Sequence, residues 1–202
     1  MKALALRITL AALAAAASWQ ATAQQPQTLR VRGTIEKLDG SVLSVKASDG
    51  NAMQIRLTDD VRVVGVVKSS MAEIKPGSYI GSAATPQPDG SQKALEVHIF
   101  PEAMRGTGEG HRPYFIPNST MTNGTVGHAV AGVDGNTVTL KYKDGEKKIV
   151  VSPGVPIVRY EIGDRGDLKA GAAFTILSAV KKPDGSLETN RVNVGRDGAV
   201  PQ

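Results

Sequence analysis

The chain has 202 residues, with 24 Lys and Arg against 19 Asp and Glu, three His, no Cys and few aromatics. Without Cys it can form neither disulfides nor thiolate sites, and its formal charge of +5 is scattered, lacking the basic block that binding to phosphate backbones uses. Its 22 Gly exceed the usual level of about 7% and fall between short apolar runs, a pattern of turns joining strands.

Lys2 and Arg7 precede or open a largely apolar stretch, 8–17, and the small residues Ala21 and Ala23 follow it. These are the three parts of a secretory leader, with cleavage expected after Ala23. The apolar stretch is about half the roughly 20 residues that a membrane span needs. No Cys follows for lipid attachment, and no second apolar run appears later. The expectation is a periplasmic or secreted protein that does not span a membrane. The only Trp, Trp19, and the cations Lys2 and Arg7 would leave with the leader.

Residues 24–101 are expected to form a first β-domain. Alternating strands over 29–38, 42–47 and 53–57 are joined by Asp39-Gly40 and Asp49-Gly50, dipeptides suited to tight hairpin turns. A β-branched continuation covers 61–67. One helical turn is expected over 69–74, capped by Ser69 or Ser70 and stopped by Pro76-Gly77. A closing hairpin, 79–84 and 94–100, turns at Pro88-Asp89-Gly90. Residues 102–121 carry Gly106, Gly108, Gly110, Pro113 and Pro117 without apolar periodicity. A plain flexible linker has no use for Tyr114, Phe115 and Ile116, so this stretch reads as an ordered strap packed on one or both domains.

Residues 122–198 then repeat the pattern, leaving a short tail, 199–202. Gly33-Thr34-Ile35 matches Gly124-Thr125-Val126, and Ile55-Arg56-Leu57-Thr58 matches Ile149-Val150-Val151-Ser152. Ile74-Lys75-Pro76-Gly77 matches Leu168-Lys169-Ala170-Gly171, and Pro88-Asp89-Gly90-Ser91 matches Pro183-Asp184-Gly185-Ser186. Val97 and Ile99 match Val192 and Val194. Ordered matches at a near-constant offset decide the architecture before local propensity does. Three strands, a short helical turn and two strands is the order of an OB-type barrel, so the predicted fold is all-β, two tandem small OB-like β-barrels of about five strands each. A small sandwich or another open barrel is the rival.

The Gly-x-Ile/Val start, the Asp-Gly turns, the Ile/Leu-Lys-x-Gly step and the Pro-Asp-Gly-Ser turn of each half resemble the bacterial family called domain of unknown function 5666. The resemblance covers 31–101 and 122–198 and implies a small OB-like domain in exported proteins. It implies no catalytic residue and does not reach the strap.

Candidate chemistry is sparse. No Gly-x-Ser-x-Gly elbow is present, and Asp59-Asp60 sits at a predicted strand end where acids favour turns. Gly106-x-Gly108-x-Gly110 lacks the βαβ setting of a dinucleotide loop, and Pro113 and Pro117 oppose a following helix. Its backbone N–H groups beside Arg105 and Arg112 form a candidate anion nest, which with Tyr114 and Phe115 makes the strap the expected contact for an envelope protein or component. The alternative is a metal site, zinc or copper, from His98, His111 and His128 with Met104 or Met121. Against it, none of the His is paired at short spacing, and the bland reading puts His98 and His128 on exposed strand faces. Nucleic acid is not expected as a partner, and an enzyme is the least favoured class. The overall expectation is a non-enzymatic periplasmic binding or scaffold module without a cofactor.

Overall fold

The computed structural model describes residues 27–132 and 135–201. The expected leader, Asp134 of one turn and Gln202 lie outside them. The described residues are all-β with three short 3-10 turns. The strands are β1 (Thr28–Asp39), β2 (Val42–Ala47), β3 (Ala52–Lys68), β4 (Tyr79–Pro86), β5 (Gln92–Ile99), β6 (Gly110–Pro113), β7 (Thr120–Gly132), β8 (Gly135–Tyr142), β9 (Gly145–Val151), β10 (Ile157–Ile162), β11 (Ala173–Lys181) and β12 (Leu187–Gly195).

The turns behave as their sequences dictate. Gly40, Gly50, Gly90 and Gly185 all take left-handed φ angles at exposed positions, where Gly costs nothing sterically. The two Pro-Asp-Gly-Ser turns are copies of one another. Asp89 Oδ1 accepts from the Ser91 backbone N–H (3.0 Å) and hydroxyl (2.6 Å), and Asp184 Oδ1 accepts from Ser186 in the same way (2.9 and 2.6 Å). The serine hydroxyl bonds, followed by the backbone bonds, hold both carboxyls below the ordinary aspartate range. The helical turn expected over 69–74 is a single 3-10 turn, Met71–Glu73, and Ser70 caps it by position without a side-chain bond.

Ring closure differs from the expectation of one barrel per half. β1, β2 and β3 of the first half close with β11 and β12 of the second, in the order β1-β2-β3-β12-β11-β1. Only the β3–β12 pair in that closed five-stranded barrel is parallel. Five of the other strands repeat the order as β7-β8-β9-β5-β4-β7, completed by the parallel pairs Gln92↔Ile149 and Lys93↔Val150, while β6 and β10 lie outside both rings. Each half therefore gives its three-stranded meander to one ring and its hairpin to the other. The expected boundary between 101 and 122 does not separate the rings.

The cores show the same exchange. Ile35, Leu43, Val45, Ile55 and Leu57 pack with Leu168, Phe174, Ile176, Val192 and Val194 in the first ring. Ile74, Ile80, Val97 and Ile99 pack with Val126, Val138, Leu140, Ile149 and Val151 in the second. Each such side chain contributes roughly 1.5–3 kcal/mol on burial, so neither meander alone can supply a core. The sequence places a strand end near Asp59-Asp60 and a β-branched continuation over 61–67; in the structure the two form one 17-residue strand, β3, that ends at Lys68, and the hairpin that follows closes on the other meander. The Gly77 N–H then docks on the Val126 carbonyl, while its counterpart Gly171 docks on Ile35, the counterpart of Val126.

A third cluster lies on the seam between the rings: Val64, Val66, Tyr79, Phe100, Val158 and Tyr160, with Met104 against them. Here β10 pairs antiparallel with the second part of β3, as Val158↔Lys68, Tyr160↔Val66 and Ile162↔Val64. Val64 and Val158 are counterparts in the repeat, so this register is symmetric about the Tyr160↔Val66 pair.

Candidate functional site

The strap makes specific contacts with both rings. It also contains structure the sequence does not announce: a 3-10 turn, Glu102–Met104, and β6, which pairs with β7 through Gly110↔Asn123 to Pro113↔Thr120. A four-residue ladder driven by backbone bonds leaves no apolar periodicity to read.

Arg105 is the strap's main tie. Its guanidinium takes both oxygens of Glu102 (2.6 and 2.7 Å), donates to the Gly77 carbonyl (3.0 Å) and Thr125 Oγ1 (3.3 Å), and lies over the Tyr79 ring. The bond to Glu102 keeps the Arg105 guanidinium above its ordinary range and the carboxyl below its own. Glu109 accepts from the Lys143 N–H, and Arg30 sits 3.6 Å over the Phe115 ring, which meets Tyr114 edge-on. The strap thus touches both rings. Gly106, Gly108 and Gly110 all have left-handed φ angles, and Arg112 Nη1 donates to the Gly108 carbonyl at 2.6 Å. With Arg105 so fully engaged, the expected anion nest lacks one of its two guanidinium groups.

Beneath the strap lies a cleft of two chambers that share Thr107 and Arg191. The inner chamber, about 120 Å³, is lined by Gly108, Arg112 and Tyr114 of the strap and by His98, Phe100, Met121, Asn123, Tyr160 and Leu177. The outer one, about 410 Å³, lies between Ala103 and Met104 on one side and Val61, Arg62 and Ile162 on the other. Arg105, Gly106, Gly110 and Phe115 lie outside both; they hold the roof rather than line the space.

The inner chamber is built on one row across three strands. His98 of β5, Gly81 of β4 and Asn123 of β7 are register partners. Because Gly81 has no side chain, the Asn123 amide and the Phe100 ring fill its place: a Cβ there would lie 2.5 Å from Asn123 Oδ1 and 3.1 Å from the ring. Asn123 Nδ2 donates to the Thr107 carbonyl (2.9 Å), which fixes the amide and leaves Oδ1 buried with no hydrogen-bond partner. His98 stacks on Tyr160 at 5.1 Å, and Phe100 meets Tyr160 edge-on. His98 Nε2 lies 2.9 Å from Glu96 Oε1 but off hydrogen-bond alignment, so it too is buried without a bonded partner. His98 and Asn123 both line one cavity, and a buried polar atom without a hydrogen bond costs about 1–3 kcal/mol.

The charges around the chamber are uneven. Burial pushes the Tyr160 hydroxyl far above the phenol range, and Glu96 adds to that, while Arg191 and Arg30 oppose it. Burial also lowers Arg191, and Arg62 pushes it further the same way. The one side-chain bond of Arg191 runs from Nε to Asn193 Oδ1, at 3.1 Å. The arrangement can offer an amide acceptor, an imidazole and guanidinium donors to a bound group.

The histidines expected as alternative metal ligands do not converge. His98 is buried on the seam, contrary to its expected exposed face. His111 bonds Thr122 Oγ1 through Nδ1 (2.8 Å) beside Tyr142, and His128 is exposed on β7. Burial, then Lys147, lowers the His111 imidazole below its ordinary range. Met121 lines the inner chamber and Met104 the outer. Among the described residues no three of His, Asp and Glu come together to hold an ion.

Sequence reasoning finds Gly108, Arg112, Tyr114, His98 and the two Met, but misses Arg62, Asn123, Tyr160 and Arg191. One signal was available. Glu96 and His98 in one half, and Arg191 and Asn193 in the other, are matched polar residues interleaved with the core residues Val97, Ile99, Val192 and Val194. No protein family, curated protein or solved structure was found to match the chain. Among the described residues no helix is long and apolar enough to cross a membrane.

Proposed function

We propose that this chain is a non-enzymatic binding module of the periplasm, formed by two OB-type barrels that exchange their hairpins, and that its ligand seats in the cleft beneath the strap. The observation that carries this reading is that His98 and Asn123, whose Nε2 and Oδ1 atoms are buried without a hydrogen bond, both line one cavity. Native proteins rarely leave such atoms unsatisfied. The leader-like N-terminus and the likeness of each half to an exported family support the placement in the envelope.

The test is a thermal-shift screen of the mature chain against short peptides, sugars and small organic acids, followed by NMR of the His98 ring and the Asn123 side-chain amide. A ligand at a hundred times its Kd should add about 2.7 kcal/mol of stability and move both signals. A screen in which stabilising compounds leave both signals in place would defeat the reading.

A further inference from the structure

Arg62 on β3 and Arg191 on β12 are register partners on adjacent parallel strands, and both line the outer chamber. Among the described residues neither forms an ion pair. Like charges placed side by side on neighbouring strands destabilise a sheet, and Arg191 is half-buried where it lines the inner chamber with Tyr160. The other cationic side chains of this region are engaged: Arg112 with the Gly108 carbonyl, Arg105 with Glu102 and Arg196 with Asp167 and Glu161. Glu96, the buried acid of the seam, lies beside His98. Apart from Thr107, the other side chains of the outer wall are apolar, among them Val61, Met104 and Ile162, and Ile162 is 64% exposed.

We infer that the Arg62–Arg191 pair binds the oxyanion head, carboxylate or phosphate monoester, of a small amphiphile whose apolar body lies along Ile162 and Met104. Two guanidinium groups present paired N–H donors to an oxyanion, which also removes their mutual repulsion. A chamber of about 410 Å³ has the size of a small-molecule site and exceeds what a bare ion needs. This inference rests on the binding reading above and names the ligand class for the outer part of the same cleft.

The experiment uses the mature chain and calorimetry with octanoate and hexyl phosphate as amphiphiles, acetate and inorganic phosphate as heads alone, and octanol as a body alone. Whichever amphiphile carries the preferred head should bind at least about tenfold more tightly than that head alone or octanol, a difference of about 1.4 kcal/mol. Arg62→Gln and Arg191→Gln should each weaken it about tenfold, and Ile162→Ser should weaken the amphiphile but not the head. If Arg191→Gln fails to fold, the exposed Arg62 carries the test. Saturable binding unaffected by Arg62→Gln, heads that bind as tightly as amphiphiles (an adventitious ion only), or no saturation in the millimolar range would each overturn the inference. The two readings fail separately: a neutral compound that moves the His98 and Asn123 signals while amphiphiles do not bind defeats this inference and leaves the binding module standing.

Discussion

Gly33 and Gly124 are counterparts in the repeat, and the structure puts both in the same strait. A Cβ on Gly33 would overlap the Lys46 carbonyl oxygen, and one on Gly124 would lie 2.5 Å from that of Lys141, the counterpart of Lys46. In both rings the first strand bulges shortly afterwards, between Ile35 and Lys37 and between Val126 and His128. These glycines are therefore needed for close backbone approach, with no positive φ involved. Gly33→Ala and Gly124→Ala should each destabilise the protein by about 1–3 kcal/mol, with Gly33 the costlier, read as a drop in the urea midpoint. At this scale the sequence was informative, because a residue without a side chain, or a turn needing a left-handed φ, leaves a local mark. His98 shows where it was not. Its alternation with Val97 and Ile99 marks it as pointing out of its own ring, and that was taken to mean toward water. When two rings share a seam, the outward face of one is the interior of the pair. The same reversal hid Arg191 and Tyr160.

At the scale of elements, most strands were legible from alternation and Asp-Gly punctuation, and β2 coincides with its expected 42–47. The four-residue β6 was not, and neither was the choice of meander that each hairpin closes. Because the halves share one pattern of core positions and turns, the hairpin of either half fits either meander, and no local residue states which pairing forms. A direct check follows from register. Thr28 of β1 lies opposite Val180 of β11, whereas a barrel closed within the first half would put it opposite Thr85, the counterpart of Val180. The Thr28→Cys/Val180→Cys variant should cross-link readily under mild oxidation, since paired strands bring Cα atoms within disulfide reach. The Thr28→Cys/Thr85→Cys variant should not, by mass spectrometry of the peptides. The reverse yields would show that each half closes alone.

At the scale of the molecule, the exchange makes the two rings a single cooperative body. Melting either ring withdraws strands whose continuations belong to the other, and the seam cluster of Tyr79, Phe100 and Tyr160 joins them again. A chain of ion pairs runs the same way: Glu73 to Arg159, Arg159 to Glu161, Glu161 to Arg196 and Arg196 to Asp167, at 2.5 to 2.9 Å. It links the 3-10 turn that leads into the hairpin of one ring to the turn that leads into the hairpin of the other. Calorimetry should show one unfolding transition, with the calorimetric and van't Hoff enthalpies equal; two resolved transitions would contradict the shared architecture. Protease cleavage in the strap should likewise yield two fragments that stay together on gel filtration. The exchange of hairpins also fixes the order of assembly. When the first half has been synthesised, its meander has no closing hairpin and its hairpin has no meander, so strand edges stand open until β11 and β12 exist. Pairing residues as distant as Thr28 and Val180 is a slow step for any chain, and exposed edges invite wrong partners. Such a protein has reason to be held unfolded until its last strands have been made, and a second molecule supplying the missing hairpin is its natural misfolded product.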